Sequence, residues 1–150
     1  MTKTDTYLLD VNVLIALTWP QHVHHARASE WFDAREARWA TTPITELGFV
    51  RVSTNSKAVT EGASPAQAIS MLTDIRSIAG HRFIADDRSF AEPAVALSQL
   101  ASSRQMTDVH LVDAAAASGC RLATLDRGIE HMLAEADRRH VFLLPDRVDG

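Results

Sequence analysis

Short apolar runs alternate with helical patterns along this chain, and that alternation limits the fold more than any other feature. Tyr7–Leu9, Arg38–Thr41, Arg82–Ala85, Leu122–Leu125 and Val141–Leu144 read as buried strands. Between them lie helical stretches over Asn12–Leu17, His22–Arg35, Pro43–Val52, Ser64–Ile78, Ala94–Ala101, Asp108–Ser118 and Ile129–Ala136. Pro20 stops the first, and Pro43 suits a first helical turn after a Thr42 cap. The clearest is Ser64–Ile78. Ser64, Pro65 and Gln67 form a capping box with proline in the first turn, Ile69, Leu72, Ile75 and Ile78 recur every three residues, and Gly80 ends it. Thr107 can cap the helix that Gly119 closes. Strands alternating with helices in this way predict an α/β fold with a mainly parallel sheet.

Composition narrows the class. The 150 residues, 46% apolar and 23% charged, suit one globular domain spanning 1–150. A single cysteine, Cys120, excludes an internal disulfide framework and fits a reducing cytosol; its apolar neighbours mark it as a small buried residue. The N-terminus lacks a basic segment leading into an uninterrupted apolar core, and Leu8–Trp19 is too short and polar to span a bilayer. These features point to a cytoplasmic protein without a membrane partner. The net charge of −4 argues against general coating of nucleic acid but says nothing of a local site.

Asp10 is the residue that asks for an explanation. It interrupts the apolar run TYLLDVNVLIAL, and a buried unpaired carboxylate is costly. Asp126 ends the fourth strand, Glu46 lies in the first turn of its helix, and Asp108 starts another. In an open parallel sheet, strand C-termini and the N-termini of the following helices share one edge, where ligands bind. Asp108 shares a helix face with Leu111, Val112 and Ala115, and Glu46 shares one with Phe49 and Val50, so both are expected to point inward.

Crowded carboxylates raise one another's pKa unless a cation offsets them. Mg²⁺ takes one or two carboxylates directly and keeps several waters. Asp10 and Asp108 are therefore expected as metal ligands, with Asp126 bound directly or through water. Glu46 would orient or deprotonate an attacking water. Asn12 and Thr107 would hydrogen-bond the ligands. Phosphodiester hydrolysis is the chemistry such a site performs best.

Each acid also has a plainer reading. Asp108 and Glu46 could serve the helix dipole, and Asp126-Arg127-Gly128 could be an ordinary turn. Asp113 lies about 140° around the helix from Asp108 and is expected to face elsewhere. Asp86-Asp87-Arg88 reads as a solvated loop, and His22, His24 and His25 as an exposed helix start. Trp19, Trp31 and Trp39 read as core or interface.

Three segments, LLDVNVLIAL, TTPITELGFVRV and TDVHLVDAAAASGCRLATLDRGI, together resemble the PIN-domain ribonucleases, in particular the VapC-type toxins of bacterial toxin–antitoxin pairs. The resemblance implies a three-layer α/β/α sandwich around a five-stranded, mainly parallel sheet. It implies that Asp10, Glu46, Asp108 and Asp126 surround Mg²⁺ or Mn²⁺ and that Asn12 supports them. It further implies an RNA substrate (a tRNA or ribosomal RNA site), a homodimer, and a VapB-type antitoxin that lays a C-terminal segment across the active site. Ser53–Leu100 carries little of the family pattern and is where target choice is expected.

Three alternatives stay open. An aspartate-nucleophile phosphatase, or a receiver-like phosphotransfer domain, would attack phosphorus with Asp10. It would want a second acid where Asn12 stands, and a late lysine where none follows Lys57. A non-enzymatic module would need neither metal nor Glu46. A metal-free ribonuclease would need a general base such as histidine, and His110 is the one nearest a candidate site acid in sequence, two residues past Asp108. The six glycines fit neither a G-x-G-x-x-G nor a P-loop, which removes the nucleotide-binding dehydrogenases.

Overall fold

The computed structural model describes residues 5–59, 61–97 and 102–146. Five short strands, β1 (Thr6–Leu9), β2 (Arg38–Thr41), β3 (His81–Phe83), β4 (Cys120–Thr124) and β5 (Val141–Leu143), form one all-parallel sheet in the order β3-β2-β1-β4-β5. Six helices connect them: α1 (Val11–Thr18), α2 (His25–Ala34), α3 (Pro43–Ser53), α4 (Pro65–Arg76), α5 (Met106–Ala117) and α6 (Gly128–Met132).

The central strands β1, β2 and β4 are buried on both faces, which is why they read as apolar runs rather than alternating ones, while the edge strand β3 is largely exposed. Side chains alternate between two cores. Leu8, Ala40 and Leu122 join Val109, Leu111 and Val112 of α5 on one face. Leu9, Trp39 and Ala123 join Val13, Phe32 and Phe49 of the helices α1 to α3 on the other. Helices on both faces make the three-layer sandwich. Cys120 is buried, as expected of a small apolar residue.

Local signals account for most boundaries. The Ser64–Gln67 capping box opens α4 with Pro65 in its first turn. Thr42 and Thr45 form another at α3, and Gly119 follows α5 with φ +69°, a conformation that favours glycine. Gly48 allows α3 to approach α1: a Cβ there would stand 2.6 Å from a methyl carbon of Val11, the residue next to Asp10.

Two expectations fail. The stretch expected as a helix over Ala94–Ala101 is non-helical at 94–97, and 98–101 lie outside the described residues. Buried carboxylates capture its backbone instead: Ala94 N–H donates to Asp113, and Ala96 N–H donates to Asp137 at 2.9 Å. Helix α6 ends at Met132, and residues Glu135–His140 form a 3₁₀ segment rather than its continuation.

Candidate active site

The strand order reverses beside β1, which leads to β2 on one side and pairs with β4 on the other. In parallel sheets this is where the crevice opens. Asp10 follows β1 directly, and Asp126 lies two residues past β4. Leu9 pairs with Ala123, and Asp10 N–H continues the ladder to Ala123 O at 2.9 Å, so Asp10 and Thr124 meet at the sheet's edge.

Asp10 caps α1. Its Oδ1 accepts the Val11 N–H at 2.7 Å, and its Oδ2 accepts the Thr124 hydroxyl at 2.8 Å. The residue is only 6% exposed. Burial pushes its carboxyl up to about 6, with Asp108 and then Asp126 adding repulsion, against the opposing pull of the Thr124 and Val11 bonds.

Thr124 organises this corner. Its Oγ1 accepts from Asn12 Nδ2 at 3.2 Å and from Asp126 N–H at 3.0 Å, so its own proton is directed to Asp10. Asn12 Oδ1 accepts the Leu125 N–H at 3.2 Å, which ties α1 to the end of β4. Asp126 Oδ1 accepts the Gly128 N–H at 2.8 Å. Asp108 stands in the first turn of α5, where burial first and Asp126 second raise its carboxyl above the usual carboxylate range.

Asp10, Asn12, Asp108 and Asp126 line one cavity of about 360 Å³, together with His22 and Val52. Two larger clefts, of about 550 and 540 Å³, border α2, but every acid lining them is exposed. Size therefore does not mark the site; the buried Asp10 and the half-buried Asp108, with Asp126 repelling both, do.

Glu46 is not brought to this cavity. Its Oε2 accepts the Thr41 hydroxyl, and Oε1 lies 3.4 Å from an Arg76 guanidinium nitrogen. Thr107 does not cap α5. The helix starts one residue earlier, behind a 3₁₀ turn with its own Ser102–Gln105 capping box, and this leaves Thr107 exposed within the first turn. Asp113 faces away from the cavity residues, 1% exposed and paired with Arg88 at 3.0 Å. Asp86 and Asp87 lie in an exposed loop, as expected, and Asp86 Oδ1 is 2.7 Å from His110 Nε2.

Thr124, which holds Asp10 from behind the cavity, is the residue that sequence reasoning passed over; its faint signal is a hydroxyl inside an apolar strand two residues before an acid. His22, expected at an exposed helix start, instead lies half-buried in the connection before α2 and lines the cavity.

Among the described residues no three His, Cys, Asp or Glu side chains stand close enough together, as they lie, to hold a metal ion. The cavity offers oxygen donors on an open wall, a set that fits a hard dication retaining part of its water shell.

Comparison with known proteins agrees with this geometry. Residues 7–134 match the PIN domain. The chain is 46% identical over 138 residues to Ribonuclease VapC38 of Mycobacterium tuberculosis, covering 91% of this chain and 96% of that one. It is 47% identical over 126 residues to Ribonuclease VapC39 of the same species, covering 83% and 91%. A solved chain in the complex of VapBC2 from Rickettsia felis with a DNA fragment from the promoter superposes with a TM-score of 0.58. That likeness covers 92% of this chain and 96% of that one at 16% identity, and it speaks for the fold alone. The extent of the sequence match places the chain in the PIN-domain family, among the VapC ribonucleases.

Proposed function

We infer that this chain is the toxin of a toxin–antitoxin pair, an endoribonuclease that hydrolyses RNA phosphodiester bonds with Mg²⁺ or Mn²⁺ held by Asp10, Asp108 and Asp126. The observation that carries this reading is the convergence of those three acids on one cavity in a chain so similar to named ribonucleases. A dication bound there would lower the pKa of a water and offset charge on a phosphoryl oxygen.

The chain's own groups do the rest. Thr124 and Val11 hold Asp10 in one orientation by bonding an edge of each carboxylate oxygen. Gly128 and Thr124 set Asp126 through its carboxylate and its backbone. Asn12 supports the site by bracing Thr124. For Glu46 to orient or deprotonate the attacking water, its side chain would have to leave Thr41 and Arg76 and turn to the cavity. The RNA substrate is a tRNA or ribosomal RNA site, the partner is a VapB-type antitoxin, and the toxin is a homodimer in the cytoplasm.

An aspartate-nucleophile reading has less support. Both Asp10 oxygens carry hydrogen bonds, and the side chain two residues on is an amide committed to Leu125 and Thr124.

The test is cleavage of total tRNA and ribosomal RNA by the purified protein, with the product ends mapped. Cleavage should need Mg²⁺ or Mn²⁺, stop with EDTA, and leave 5′-phosphate and 3′-hydroxyl ends. Asp10→Asn and Asp108→Asn should each lose more than about 100-fold, since even partners of metal ligands cost about 10- to 100-fold when removed. Cyclic-phosphate ends that persist in EDTA would overturn the metal reading in favour of a histidine-driven reaction.

A further inference from the structure

The acid cavity has a polar group that the proposed chemistry leaves unused. His22 lines it, facing space shared with Asp10, Asp108 and Asp126. Its Nδ1 accepts the His24 N–H at 3.0 Å. An imidazole that accepts at Nδ1 carries its proton on Nε2. Burial lowers the His22 pKa, with His24 and His25 adding to the effect, so the ring is a neutral donor at pH 7.

Among the described residues, no acceptor satisfies Nε2–H, and no carboxylate comes within ion-pairing distance of His22. The other side-chain nitrogen on the cavity is that of Asn12, which commits one of its two N–H groups to Thr124. The remaining lining is carboxylate or aliphatic, the apolar part being Val11, Ile15, Val52 and Ala58. A phosphodiester entering this space meets three like-charged groups, and the His22 ring N–H is a donor with no acceptor in the described protein. Charge-assisted hydrogen bonds to such an anion are among the stronger ones available.

Building on the ribonuclease reading above, we propose that His22 contacts the substrate, its Nε2–H donating to a nonbridging oxygen of the RNA phosphate in the acid cavity. The tautomer argues against His22 as a metal ligand. Ligation through Nε2 would require moving the proton to Nδ1 and breaking the His24 bond, for a cation that prefers oxygen.

Two variants separate contact from scaffolding. His22→Phe keeps a ring without the N–H, and His22→Gln keeps an N–H of similar reach. Saturation kinetics of RNA cleavage should show KM raised about 10- to 100-fold in His22→Phe, the range for a hydrogen bond to a charged group, with a smaller change in kcat. His22→Gln should recover most of that loss. Mn²⁺ uptake measured by calorimetry without RNA, and the melting temperature, should match wild type in both. An unchanged KM in His22→Phe overturns the proposal. Loss of Mn²⁺ uptake makes His22 a ligand, and a lowered melting temperature with no recovery in His22→Gln makes it structural; either result also overturns it. Wild-type protein that cleaves no RNA with metal, and behaves as Asp10→Asn does, would instead sink the ribonuclease reading itself.

Discussion

Asp10 shows how a single residue can trade stability for function. Its carboxyl, pushed up to about 6, holds a proton more tightly in the folded chain than at the ordinary value of 3.8. The stability it contributes is thus fully present below about pH 4 and lost as pH rises through about 6. A rise of that size corresponds to about 3 kcal/mol. Urea unfolding of metal-free protein should show the stability of wild type relative to Asp10→Asn falling by about 2–3 kcal/mol between pH 4 and 7.5. Mg²⁺ at pH 7.5 should return part of this to wild type and none to the variant. A difference that does not vary with pH would mean that Asp10 is not held as a buried acid. Thr124 belongs to the same balance. It bonds Asp10, Asn12 and the Asp126 backbone with one hydroxyl, so the corner behaves as a unit rather than as four separate residues.

At the scale of elements, the connection from β3 to α5 is held by carboxylates from other parts of the chain. Asp113 of α5 bonds Arg88 and the Ala94 N–H, and Asp137 bonds the Ala96 N–H. Asp86 meets His110 of the same helix at 2.7 Å. These contacts pin residues 86–96 along α5, the helix that also presents Asp108. Asp113→Ala should therefore speed amide exchange at Ala94 by about tenfold or more, while the amides of β1 and β4 keep their protection. Equal protection in the variant would show that the strap is held by something else. This stretch was illegible in the sequence for a definite reason. Its apolar spacing suits a helix, but the acids that capture its N–H groups lie 19 and 41 residues away. Helix boundaries with local signals, at Ser64, Pro43 and Gly119, were readable because capping and left-handed φ are decided within a few residues.

For the whole molecule, toxin and antitoxin predict a behaviour in cells. Expression of the chain alone should arrest growth, and co-expression of its partner should relieve the arrest; Asp108→Asn should not arrest growth at all. Growth unaffected by an active nuclease would assign it a housekeeping role. The alternation of strands and helices was enough to determine a parallel sheet with Asp10, Asp108 and Asp126, though not Glu46, at one cavity on its edge, since apolar periodicity and caps are local and the edge follows from connectivity. Tertiary structure alone decided which groups share the cavity. It turned Glu46 to Arg76, left Thr107 exposed, and brought Thr124 under Asp10 and His22 to the cavity wall. Those outcomes depend on contacts between residues as many as 114 positions apart, where no local spacing rule can report the balance of burial, charge and hydrogen bonding.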